Sequence, residues 1–226
     1  MKRGRGSSTG FLLVRGLLRG LLRLLFRVEV RGPERIPTEG YILVANHLNW
    51  IDGFLLLAML PSAPRLYVLA DKHAICKTWW KRWIVAAMGR VITIDRSNGH
   101  GDGSAMRTVY RVLGRGDALA LFPEGSTDGE EGRLLRLQRG IGALCLRSGR
   151  PVLPVGLSGV SELYWGKEIT LTVGQTFTPT SVESTMARRI DDVTGQVQRA
   201  LEQTLPRYSE KPVAQKRMRW LTDLLK

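Results

Sequence analysis

Short apolar runs that alternate with helical segments limit this chain more than any other feature. Tyr41–Ala45, Leu66–Ala70, Val91–Ile94, Ala118–Phe122 and Val152–Leu157 carry almost no polar side chain. A strand with one wet face alternates apolar and polar residues, whereas an unbroken apolar run reads as a strand covered on both faces. Between the runs stand helical segments: Gly53–Leu60 behind an N-capping Asp52 and ended by Pro61, Ile75–Met88, Ser104–Leu113 and Gly140–Leu146. Ile169–Val173 alternates like an edge strand, and Thr185–Leu205 is the last long helix. This order predicts an α/β fold, with a mixed, mostly parallel sheet covered by helices on both faces.

The 226 residues are 43% hydrophobic, enough for one packed domain with an appendage. The turn-rich stretch Gly32–Pro37 separates a basic amphipathic region, residues 1–31, from a core domain, residues 32–206. Residues 207–226 form a basic tail with Lys216, Arg217, Arg219 and Trp220, read as a solvated terminal helix or a further membrane contact. Lys and Arg number 34 against 20 Asp and Glu, a net charge of +14. That excess points to a polyanion: nucleic acid, an anionic membrane surface or a phosphorylated substrate. The two cysteines, Cys76 and Cys145, exclude a disulfide-stapled fold, fit a reducing cytosol and read as core thiols.

The N-terminal region favours the membrane. Arginines interrupt its apolar stretch and no small-residue cleavage site follows, so it reads neither as a signal peptide nor as a spanning helix. Arg15, Arg19, Arg23 and Arg27 recur every four residues and fan across roughly 120° of a helix. Leu13, Val14, Leu17, Leu18, Leu21, Leu24, Leu25 and Val28 fill the opposite half. An arginine stripe opposite a wide apolar face predicts an amphipathic helix lying in the membrane interface. Packing of that face on the protein's own core is the alternative. The cluster Lys77–Trp83 suits the headgroup level or an ordinary helix. Leucines dominate the most basic segment and no recognised nucleic-acid motif is present, so a nucleic-acid partner is not expected. The expected location is peripheral or monotopic, at the cytoplasmic face of a membrane.

Three loops at strand ends hold candidate chemistry. Ala45 runs into Asn46-His47-Leu48-Asn49-Trp50-Ile51-Asp52. Histidine is the natural general base near neutral pH, and a carboxylate on its far nitrogen would fix the tautomer. Five positions apart is not one helix face, but a strand-to-helix loop can fold His47 back onto Asp52. The plainer reading is a loop histidine and an N-cap. Leu121-Phe122-Pro123-Glu124-Gly125-Ser126-Thr127-Asp128 sets an acid between Pro and Gly, and Ile94-Asp95-Arg96 offers a guanidinium to a phosphate or an acid. Gly114-x-Gly116 precedes a strand, the wrong order for a dinucleotide loop. His73 and His100 have no partner at metal-ligand spacing, and no metal site is expected.

Taken in order, Asn46-His47-x4-Asp52, Ile94-Asp95-Arg96, Phe122-Pro123-Glu124-Gly125 and Val152-Leu153-Pro154-Val155 resemble the glycerolipid acyltransferases of the lysophosphatidate acyltransferase type, over residues 30 to 180 or so. The resemblance implies that His47 takes the proton of an acceptor hydroxyl and that Asp52 holds His47. The hydroxyl then attacks the thioester of acyl-CoA or acyl-carrier protein directly, with no cofactor and no enzyme nucleophile. Gly156-Leu157-Ser158-Gly159-Val160 agrees, because it breaks the nucleophile-elbow pattern at its last position. The implied acceptor is a membrane lysophospholipid, first of all lysophosphatidate. The implied substrate-binding residues are Asn46, Arg96, Glu124, Gly125, Ser126 and Thr127. Many relatives place an arginine after Glu-Gly-Ser or Glu-Gly-Thr, and a lysine before a later glycine. Here Thr127 follows Ser126, and Arg139 stands before Gly140 as the substitute for that lysine. These departures leave another lysolipid, such as a lyso-ornithine lipid, as the alternative acceptor.

Overall fold

The computed structural model describes residues 9–73, 79–95, 102–127, 129–206 and 216–224. Arg96, Asp128, Cys76, His100 and Lys77 lie outside the described residues. Seven strands form one sheet: β1 (Arg27–Arg31), β2 (Ile42–Ala45), β3 (Leu66–Asp71), β4 (Val91–Ile94), β5 (Ala118–Leu121), β6 (Val152–Ser158) and β7 (Glu168–Val173). Their order is β1-β7-β6-β2-β5-β3-β4. Pairing is parallel everywhere except between β6 and β7, as the apolar runs predict. β2 to β6 therefore end at one rim, the usual ligand side of an open α/β sheet.

Side chains alternate across the pleat and divide the core in two. Leu43, Ala45, Val68 and Leu153 face one layer, which holds α1 (Thr9–Leu25), α2 (Asp52–Met59) and α3 (Trp79–Met88). Ile42, Val44, Leu119 and Val152 face the other, which holds α4 (Gly103–Gly114), α5 (Gly140–Ser148) and α6 (Met186–Glu202). β2 is wholly buried, and burying each such Leu, Ile or Val stabilises the fold by about 1.5–3 kcal/mol.

Four expectations need correction. Residues 27–31, assigned to the amphipathic region, are β1, so Arg27 leaves the arginine stripe. Its Arg-Val-Glu-Val-Arg alternation is that of a half-wet strand. β1 pairs with β7 in parallel and thereby covers the predicted edge strand, making β7 internal. Asp52 does not cap α2: Ile51 holds the cap position without a side-chain bond. The tail is not simply solvated, because α7 (Trp220–Leu224) docks. Leu221 is buried, Thr222 Oγ1 donates to the Leu163 carbonyl, and Glu162 accepts from Lys216 and Arg219.

α1 both packs on the core and exposes apolar surface. Phe11 and Leu22 are buried, and Val14, Leu18 and Leu25 pack against them. Leu13, Leu17, Leu21 and Leu24 stay 65%, 76%, 52% and 66% exposed, a leucine arc with no covering element among the described residues. No described helix is long and apolar enough to cross a membrane.

Close packing of α5 on α6 depends on Gly142. A Cβ there would run into the Ile190 carbonyl oxygen and the Thr194 hydroxyl. Gly142→Ala is expected to destabilise the fold by about 1–3 kcal/mol. Thermal unfolding checks this, and an unchanged midpoint would show that the helices have room to part.

Candidate active site

The loop that leaves β2 turns back on itself because α2 begins at Asp52. The Asp52 carboxylate is fully buried, and one oxygen, Oδ2, collects three bonds. Leu48 N and Asn49 N donate to it at 2.8 Å each, and His47 Nδ1 lies 2.9 Å away. Two backbone donors make Oδ2 an acceptor, so Nδ1 donates to it, and in the neutral ring the lone pair belongs to Nε2. Burial pushes the Asp52 carboxyl above its usual range; the bonds from His47, Asn49 and Leu48 oppose that rise. The His47 ring stacks on Phe122, with centroids 4.1 Å apart and planes 16° from parallel. A ring held at its edge and on its face has one orientation.

Glu124 joins the β5 loop to the same histidine, but through the backbone. Its Oε1 accepts from His47 N and its Oε2 from Leu135 N, both at 2.8 Å. The residue is 4% exposed, and burial raises its carboxyl against the pull of those donors. Both oxygens are thus engaged by the chain itself. Asn46 does similar work: its amide donates to the Leu157 carbonyl at 2.9 Å and accepts from Leu157 N at 2.7 Å, tying β2 to β6. Asn49 donates to the Val160 carbonyl at 3.1 Å, and Glu131 accepts from Gly159 N and Ser161 N at 3.0 Å. The roles of Asn49, Glu131 and Phe122 lay outside the sequence reading. No spacing announces them, since each depends on which loops meet at the sheet rim.

His47 lines a cavity of about 300 Å³. Gly125, Ser126 and Thr127 line its polar end, and Phe54, Leu57, Val68, Val85 and Val91 line an apolar slot beneath α2. Gly53 keeps the slot open on its helix side, where a Cβ would press on Val68 at 3.2 Å. The arrangement can take a proton at Nε2, stabilise the imidazolium through Asp52, and receive an apolar chain beside it.

Of the residues expected to bind substrate, Gly125, Ser126 and Thr127 line this cavity, while Asn46 and Glu124 sit behind it. Arg139 is not there. Its guanidinium pairs with Asp191 at 2.6 Å and donates to the Ala187 carbonyl at 3.2 Å, so α6 holds it away. An exposed Asp191 on the facing helix offers a nearer anion than any ligand at the rim. Lys72, beyond the end of β3, reaches Asp95 at 3.6 Å.

A family model described as Acyltransferase matches residues 27–158. The human 1-acyl-sn-glycerol-3-phosphate acyltransferase alpha is 30% identical over 177 residues, 76% of this chain and 60% of that protein. The 1-acyl-sn-glycerol-3-phosphate acyltransferase of Limnanthes alba is 28% identical over 195 residues, covering 82% and 66%. The chain thus spans about three fifths to two thirds of the length of these curated relatives. The crystal structure of the 1-acyl-sn-glycerophosphate (LPA) acyltransferase PlsC from Thermotoga maritima superposes with a TM-score of 0.65 at 22% identity, covering 88% of this chain and 81% of that one. That structure shares the fold. By its family match, the chain is a member of the acyltransferase family.

Proposed function

We propose that this chain transfers a fatty acyl group from acyl-CoA or acyl-carrier protein to the free hydroxyl of lysophosphatidate. The observation that carries the reading is the His47 Nδ1 to Asp52 Oδ2 bond, beside an apolar slot. The acceptor oxygen attacks the thioester carbonyl carbon while His47 Nε2 takes the hydroxyl proton. The C–S bond breaks, and the leaving thiolate recovers that proton from the imidazolium, whose charge Asp52 has balanced. A thiolate leaves readily, so one base serves both steps. The acyl tail lies in the slot between α2 and β3. Asn46, Glu124 and Glu131 are positioning residues, and Gly125, Ser126 and Thr127 border the acceptor. With Arg139 committed to Asp191, Arg96 is the arginine proposed for the acceptor phosphate.

The exposed leucine arc of α1 is the proposed membrane face. Leu13, Leu17, Leu21 and Leu24 enter the leaflet, and the chain lies on the bilayer where its lipid substrates are. A helix that already buries Phe11 and Leu22 has no packing use for a second apolar face.

His47→Ala is expected to lower acyl transfer by about 10²–10⁴-fold in a folded protein. Mass-detected product from a panel of lysophosphatidate, lyso-ornithine lipid and lysophosphatidylglycerol reads both turnover and acceptor choice. Near-wild-type turnover would reject the base, and transfer to lyso-ornithine lipid alone would replace the acceptor. Glu124→Gln sets an amide NH₂ against a backbone N–H, a cost of about 1–3 kcal/mol. It is expected to lower kcat more than it raises KM, whereas an effect on KM alone would mean that Glu124 touches substrate. Leu17→Ser with Leu21→Ser is expected to weaken flotation with neutral phosphatidylcholine vesicles about tenfold or more. Unchanged flotation would place the membrane face elsewhere.

A further inference from the structure

The arginines of α1 do not share the leucine arc. They flank the buried side of the helix, with Arg15 and Arg19 partly buried and Arg23 exposed. Arg15 Nε donates to the Leu57 carbonyl at 3.0 Å and its terminal nitrogen to the Leu60 carbonyl at 2.6 Å. It thereby caps the C-terminal turn of α2, where the last carbonyls need donors. Arg19 and Arg23 continue the stripe one and two turns on, and with Arg15 they line a cavity of about 370 Å³. Val28 and Val30 of β1, Met59 at the end of α2 and Pro61 beyond it make its other walls apolar. That volume is within the range of small-ligand pockets.

The charge in this cavity lacks an answer. Among the described residues no carboxylate pairs with Arg15, Arg19 or Arg23, whereas Arg31, Arg35 and Arg139 on the same molecule each have one. Arg19 Nε is buried and has no hydrogen-bond partner there. Burial first, and Arg19 second, pull the Arg15 guanidinium below its ordinary range, as expected for cations crowded without an anion. Apolar walls beside two uncommitted guanidinium forks suit a phosphate that carries an organic substituent.

Depth selects the source of that phosphate. A helix is about 10–12 Å across with its side chains. With the leucine arc in the acyl region, the arginine flank on the far side of α1 stands at headgroup level.

We infer that Arg19 and Arg23, on the frame set by Arg15, form a binding site for the phosphate of an anionic glycerophospholipid headgroup, separate from the His47 site. The inference rests on the membrane-facing reading of α1. Bulk lipid caught here would hold the enzyme on anionic regions of the leaflet without occupying the catalytic slot. Arg15 would couple the two places, since α2 carries its carbonyl contacts at one end and Asp52 at the other.

Flotation of the full chain with phosphatidylcholine vesicles, and with vesicles in which a fifth of the lipid is phosphatidylglycerol, tests this. Wild type is expected to prefer the anionic vesicles. Arg19→Gln with Arg23→Gln is expected to reduce that preference about tenfold with an unchanged melting temperature. Arg23→Gln alone, at an exposed position, should move it in the same direction. Arg107→Gln with Arg111→Gln removes the same charge from exposed positions on α4, across the sheet, and is expected to change the preference less than about twofold. Equal losses in the two double variants, or none in either, would overturn the site in favour of diffuse attraction. Loss of the preference in millimolar inorganic phosphate, but not in sodium chloride of matched ionic strength, would overturn the lipid assignment in favour of free phosphate. Failure of wild type to float with either vesicle would overturn the membrane reading itself, and binding to both without preference would sink the pocket alone.

Discussion

A carboxylate with no access to water organises the catalytic rim. Asp52 Oδ2 draws in Leu48 N, Asn49 N and the imidazole of His47, and so closes the strand-to-helix loop around itself. A buried charge is tolerated only when donors surround it. The same contacts that close the loop fix the ring: with Nδ1 turned to Asp52 Oδ2, Nε2 of His47 is the nitrogen left for the proposed base. Glu124 repeats the device from β5, holding His47 by its backbone N–H. Two buried acids, one opening α2 and one in the loop after β5, thus locate one residue, and Phe122 holds the face of its ring.

α2 connects this rim to the surface. Its first residue is the orienting acid, its middle turn lines the apolar slot, and its last carbonyls accept from Arg15 of α1. α1 in turn spends one side on the core and leaves a leucine arc outside. The helix that would meet the bilayer and the helix that would bracket the acyl chain are therefore in direct contact. α2 is eight residues long, with Asp52 at its first position.

Much of this was legible in one dimension. Unbroken apolar runs at Tyr41–Ala45 and Val152–Leu157 announced covered parallel strands, because such runs have no wet face. The His47-x4-Asp52 spacing and the ordered motifs pointed to one family, since the chemistry tolerates few residue types there. β1 was hidden: five residues of alternation next to a longer helical period are overwhelmed by the stronger pattern. Arg139 misled because a cation's partner depends on the nearest anion in space, and Asp191 arrives from a helix some fifty residues later.

By itself the sequence determined the alternation of strands and helices, the candidate pair His47 and Asp52, and an N-terminal helix with more apolar surface than a core requires. Those follow from local periodicity and residue chemistry. Only the tertiary structure decided that Asp52 and Glu124 face backbone donors, that Arg139 pairs with Asp191, and that Arg15 turns to the end of α2 while a leucine arc looks outward from α1. Each of these depends on strand order, through contacts between residues far apart in the chain, and no local pattern encodes such a contact.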